Sequence, residues 1–138
     1  MRNATASVVV DAPRDEVFAY LADIRNTPEW ATEFIQDFQV IDDRRANAVT
    51  EVGKMVYHQQ SYPETGVIDI RVGPTEETLS LFPARVVNLP GGQCAFLFTL
   101  FQSPNQPDQA FDAGFSSLQR ELENVRRHFE ARAIQEEA

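Results

Sequence analysis

The sequence predicts an α+β fold in which a curved antiparallel sheet packs against one long C-terminal helix. Three observations carry that expectation. Phe111, Phe115, Leu118, Leu122, Val125 and Phe129 recur at spacings of four, three, four, three and four, which is one apolar stripe on a helix. The middle of the chain instead alternates at a period of two and is rich in β-branched and aromatic residues, as strands are. Between the first strand-like segment and that run stand two short helical signals, each with its own start.

Taken in order, the first strand is expected from Thr5 to Val10, ending at Asp11-Ala12-Pro13. Pro13 suits a first helical turn because its missing N–H would be unpaired there anyway, and Asp15 and Glu16 favour the positive end of the helix dipole. Val17, Phe18 and Leu21 supply that helix's inward face. Asn26-Thr27-Pro28-Glu29 reads as the cap and first turn of a second short helix carrying Trp30. Strands are then expected at Phe34 to Ile41, Val49 to Gln60 and Gly66 to Val72, with Asp42-Asp43-Arg44-Arg45 and Tyr62-Pro63-Glu64-Thr65 as turns. In that register Tyr57 faces Ile70 and His58 faces Asp69, so that Met55, Tyr57, Ile68, Ile70 and Val72 form a core face. Lys54, His58, Asp69 and Arg71 form the solvent face. Thr78 to Phe82 and Ala84 to Leu89 are strand-like, interrupted by Pro83, which suggests an edge or a bulge. Gly91-Gly92 predicts a two-residue hairpin into Cys94 to Phe101, with Val87 opposite Phe96 and Arg85 opposite Phe98. The Ser103 to Gln109 stretch, SPNQPDQ, is a loop before the final helix.

With 138 residues, 43% of them hydrophobic, the chain can build one sizeable core and not two, so a single domain spanning 1–138 is expected. Twelve basic against twenty-one acidic residues leave a net charge of -9, which disfavours phosphate backbones and anionic membranes; nucleic acid is not an expected partner. The opening MRNATASVVV lacks a secretory apolar region, and no apolar run approaches the roughly 18 residues of a membrane span. A cytoplasmic protein without integral membrane association is therefore expected. The lone Cys94 excludes an intramolecular disulfide, and its apolar neighbours favour a buried small hydrophobe.

The opening Val10-Asp11-Ala12-Pro13-Arg14-Asp15-Glu16-Val17-Phe18-Ala19-Tyr20-Leu21-Ala22-Asp23, followed by Asn26 and Pro28-Glu29-Trp30, resembles the amino-terminal signature of the START-like (SRPBCC) superfamily. These are the helix-grip proteins that include polyketide cyclase/dehydrase-like domains and the Bet v 1-like pollen-allergen fold. The resemblance implies a helix-grip arrangement of six to seven strands wrapped around the C-terminal helix. In proteins of that kind the space between sheet and helix is filled by side chains or left as a pocket. A cystatin-like cone is the nearest rival, but its long helix precedes the main run of strands, whereas here it follows them.

Trp30, Phe34, Tyr57, Ile70, Phe96, Phe98, Phe111 and Phe115 are the candidate ligand-binding residues. The resemblance places Trp30 where it either covers a ligand or plugs the end of the sheet. Tyr57 either orients a ligand carbonyl or pairs with a backbone group. Gly114, costly within a helix, serves close helix–sheet contact or loosens the helix near a pocket mouth. For catalysis the candidates are Tyr57 and Arg85. On a concave face the Arg85 guanidinium would need a carboxylate or an anionic ligand group; on a convex face it would be solvated. His58 with Asp69 reads as an exposed cross-strand pair, and Glu123, Arg126, Arg127 and Glu130 as a solvated helix face.

No GxSxG, HExxH or P-loop pattern is present, Gly91-Gly92 is not followed by a helix, and His58 and His128 are the only imidazoles. No cofactor or metal is expected. The inward set is poor in convergent polar groups, which favours binding of a small hydrophobic, lipid or polyketide-like molecule over an aromatase/cyclase-type reaction. A filled core whose outer sheet face binds another protein is the third reading. As to assembly, the expectation is a monomer or a homodimer.

Overall fold

Alternation sets the first strand: in β1 (Asn3–Val10) Ala6, Val8 and Val10 are buried and the residues between them are exposed. The computed structural model, which describes residues 1–137, continues with α1 (Arg14–Ala22), a 3-10 turn (Ile24–Asn26) and α2 (Thr27–Trp30). Then follow β2 (Asp37–Val40), β3 (Arg45–Thr50), β4 (Gly53–Tyr62), β5 (Val67–Gly73), β6 (Ser80–Asn88), β7 (Cys94–Phe101) and α3 (Asp108–Glu137). Residue 138 of the expected domain lies outside the described residues. All seven strands form one antiparallel sheet in the order β1-β7-β6-β5-β4-β3-β2. This is the helix-grip arrangement, with α3 across the concave side.

The stripe on α3 explains that placement. Phe111, Leu118, Leu122, Val125 and Phe129 are buried and Phe115 is half-buried. Each full burial contributes about 1.5–3 kcal/mol. Val17, Phe18 and Leu21 of α1 are buried as their spacing predicts, and Pro13 caps that helix at φ -63° with its carbonyl accepting from Val17.

Five local readings differ, each for a physical reason. Phe34 to Ile41 is not one strand, because the N–H groups of Glu33 and Phe34 bond to the Glu121 carboxylate, so pairing begins only at Asp37. Val49 to Gln60 is interrupted by a hairpin in which Thr50 pairs with Gly53, whose φ of 116° turns the chain. The β4–β5 loop is Pro63–Gly66, so Tyr57 faces Val72 and His58 faces Arg71, not Asp69. That slip is even, and the core face is kept. Pro83 lies inside β6, where pairing to β7 starts only at Ala84 and no N–H is required of it.

The β6–β7 hairpin matters most. A two-residue turn would close on Pro90, which has no N–H; instead Leu89 donates to the Gln93 carbonyl, and Pro90-Gly91-Gly92 forms a three-residue loop. The one-residue change brings Phe96 opposite Val86 and Leu97 opposite Arg85, which turns Arg85 to the outer face.

Two glycines give opposite expectations. Gly66 has φ 77°, and a Cβ there would lie 2.1 Å from the Val86 carbonyl oxygen. Gly114 is exposed on α3 with nothing within 4 Å of an added Cβ, so it does not serve close helix–sheet contact. In urea denaturation, Gly66→Ala is expected to lose about 2 kcal/mol or more, and Gly114→Ala to gain about 1 kcal/mol.

Candidate functional site

The interior between sheet and α3 is organised around Trp30. Its indole is 5% exposed and meets Phe96 edge-on at 5.6 Å and Phe98 at 6.3 Å. Phe98 in turn approaches Phe96 and Phe82, each at 6.3 Å, and Ile70 pairs with Phe82 across β5 and β6. Half-buried Phe82, Leu100, Phe115, Met55, Ile35 and Phe38 border this cluster. Trp30 thus plugs the core in the structure as it stands. Its Nε1–H is enclosed yet has no hydrogen-bond partner among the described residues. An orphaned buried donor costs about 1–3 kcal/mol, so its retention asks for an explanation.

The segment following Trp30 is fastened to α3 by polar contacts. Asn124 donates to the Trp30 carbonyl and to the Thr32 hydroxyl, both at 3.0 Å. One oxygen of Glu121 accepts from the N–H of Phe34 at 3.0 Å and of Glu33 at 3.2 Å. Arg120 grips the Glu33 carboxylate with Nε at 2.8 Å and a second nitrogen at 2.7 Å. Glu121 is buried, and burial raises its pKa despite the two N–H donors; the exposed Glu33 carboxyl is lowered, first by Arg120. Sequence reasoning missed this strap. Its signal was present, because Glu121 sits among Leu118, Leu122 and Val125 at positions the helix period assigns to the core.

Tyr57 is buried, and its hydroxyl donates to Gln59 Oε1 at 2.9 Å. Gln59 Nε2 in turn donates to the Leu21 and Ala22 carbonyls, satisfying the C-terminal end of α1. Burial raises the Tyr57 pKa and keeps the phenol neutral. Tyr57 and its neighbour Phe38, 5.1 Å away, lie on strands β4 and β2, whereas Phe96 and Phe98 lie on β7.

The structure brings some of the expected residues together and not others. Trp30, Phe96, Phe98 and Ile70 belong to the central cluster, with Phe115 half-buried against it. Phe34 lies outside any strand and is 39% exposed. Phe111 is buried apart from that cluster, beneath the Arg2 guanidinium at 4.9 Å. Arg85 is exposed on the outer face and donates to the Thr65 carbonyl at 3.0 Å, so it does not converge with Tyr57. Cys94 is fully buried, and burial raises its thiol pKa. His128 stacks on Tyr20 at 4.1 Å.

The fold and this aromatic interior define a START-like helix-grip domain. The chain belongs to the family described as polyketide cyclase/dehydrase and lipid transport, whose model matches residues 1–132. Among solved structures it is similar to the protein XoxI from Bacillus cereus, at 11% identity and TM-score 0.73 over 94% of this chain and 96% of that one. It is also similar to the Zhui aromatase/cyclase from a Streptomyces species, at 18% identity and TM-score 0.70 over 96% and 95% of the two chains. A START superfamily protein from Mycobacterium smegmatis matches at 14% identity and TM-score 0.69, over 94% and 97%. No curated protein matches this sequence significantly. No helix among the described residues is long and apolar enough to cross a membrane.

Glu121 gives this site a pH signature. Its folded-state pKa is raised, so the folded protein binds the proton more tightly than the unfolded chain. Its charged form therefore weakens the fold near neutral pH, and that penalty fades as pH falls toward the ordinary value of 4.5. Glu121→Gln keeps an acceptor without the charge. In denaturation at a series of pH values, this variant is expected to exceed the parent in stability at about pH 7.5, with the gap narrowing toward about pH 5. A gap that is constant or widens on acidification would contradict the assignment.

Proposed function

We propose that this protein binds a small hydrophobic molecule between the sheet and α3, against Trp30. One observation carries the reading: the indole N–H of Trp30 is buried among aromatic rings without an acceptor. A ligand bringing an apolar body and one acceptor oxygen would satisfy that donor and stack on the surrounding rings. Half-buried Phe82 and Phe115 and the exposed Phe34 are the side chains whose displacement admits it. The family description, with its lipid transport, supports the same reading.

The second reading, an aromatase/cyclase-type reaction on a polyketide, is favoured by the similarity to the Zhui aromatase/cyclase and uses the same interior. It asks for convergent polar groups to move protons. Tyr57 is held by Gln59 with its proton retained, and Arg85 points outward, so binding ranks first.

Trp30 is the only tryptophan, and its fluorescence reports on this interior alone. Nile red, a neutral dye with a carbonyl acceptor, is expected to bind saturably at one site and to quench Trp30. Trp30→Phe, with its fold checked by circular dichroism and binding followed by dye emission, should bind about tenfold more weakly. Absence of saturable binding by the parent protein, together with no retained ligand in native mass spectrometry, would sink the proposal.

A further inference from the structure

On the opposite face of the sheet, three side chains able to carry positive charge stand in one cross-strand row. Arg45 of β3 is directly opposite His58 of β4, which is directly opposite Arg71 of β5. Like charges so placed repel one another, and a sheet gains nothing from the arrangement by itself. The row borders an open cleft of about 450 Å³, also lined by Asp42, Asp43, Arg44, Gln59 and Gln60.

The acids at this cleft are already engaged. Asp42 is held by Arg45 at 2.8 Å and accepts from the Arg44 backbone N–H at 2.9 Å; Asp43 is held by Arg25 at 2.9 Å. Glu76 Oε2 lies 2.9 Å from His58 Nε2, so that nitrogen already faces a carboxylate. The guanidinium groups of Arg44 and Arg71 meet no carboxylate among the described residues. Two arginines with no carboxylate partner among the described residues thus line one cleft of a chain whose net charge is -9.

We propose that this cleft is an anion site for a phosphate monoester, separate from the interior site. Arg44 and Arg71 are the two forks, while Arg45 is occupied by Asp42 and His58 by Glu76. Arginine forks match the paired oxygens of phosphate, and a dianion with three peripheral oxygens offers two forks more charge and more acceptor sites than a carboxylate does. The cleft leaves room for the group that the phosphate carries. Asp42 holds the Arg45 guanidinium and the Arg44 backbone N–H, and Asp43 is neutralised by Arg25.

The test uses the full chain at about 0.15 M salt, where diffuse attraction between exposed charges is screened. Phenyl phosphate is titrated while the Arg44 and Arg71 Nε–H resonances are followed, and vesicles of phosphatidylcholine with or without phosphatidic acid are tested by co-sedimentation. Saturable shifts with phenyl phosphate, weakened at least tenfold by Arg71→Ala, support a soluble phosphate monoester. Co-sedimentation only with phosphatidic acid, again lost in Arg71→Ala, supports the same chemistry on a lipid headgroup. Arg44→Ala, in the β2–β3 turn, serves if Arg71→Ala does not fold, and Lys54→Gln, a solvent-face cation outside this cleft, is the control. Binding by neither probe, undiminished binding in both arginine variants, or an equal loss in Lys54→Gln would overturn the proposal.

Discussion

The packing of the α3 stripe into the concave face of the sheet is the contact on which the rest of the molecule depends. Among the described residues α3 is the longest element set against the inward faces of the strands, where, beside the Val17-Phe18-Leu21 face of α1, its Leu118, Leu122, Val125 and Phe129 are buried. The same helix carries the polar groups that decide what else can approach. Glu121, Arg120 and Asn124 project from it toward the segment after α2 and hold Trp30 within the core. Covering the sheet and positioning the candidate site are therefore two tasks of one element, separated by where each residue falls around the helix.

That arrangement leaves an imbalance at the centre. The concave side satisfies its other notable polar groups through named partners: the Tyr57 hydroxyl and Gln59 at the end of α1, Glu121 at the strap. The Trp30 indole N–H is the exception. A phenylalanine would fill much of the same space without the unpaired donor, which is the observation behind the ligand-binding role proposed for Trp30.

Much of the architecture was legible from periodicity. The α3 stripe, the β1 alternation and the Val17-Phe18-Leu21 face all follow from spacing and local chemistry, and the resemblance in the first thirty or so residues pointed to the superfamily of the family model that matches residues 1–132. The errors came where one residue decides geometry. Pro90 cannot donate the closing bond of a two-residue turn, and that single missing N–H shifts the register by one residue, so that Arg85 pairs with Leu97 and not with Phe98. Glu51 and Val52 made a hairpin inside what reads as continuous strand, because β-branched neighbours conceal the turn at Gly53. The strap was harder still. The helix period places Glu121 at a core position, but the backbone N–H groups it binds, some ninety residues earlier, leave no mark in a sequence.

The central claim concerns a single proton, the one on Trp30 Nε1, and it has a direct observable. A sequence with one tryptophan gives one indole N–H resonance in a nitrogen-15 correlation spectrum. Without ligand that resonance should carry the shift of an unbonded indole, and saturation with a neutral carbonyl-bearing hydrophobic compound should move it downfield into the hydrogen-bonded range. A resonance that is already hydrogen-bonded in the free protein, or that stays in place while the compound binds, would contradict the account.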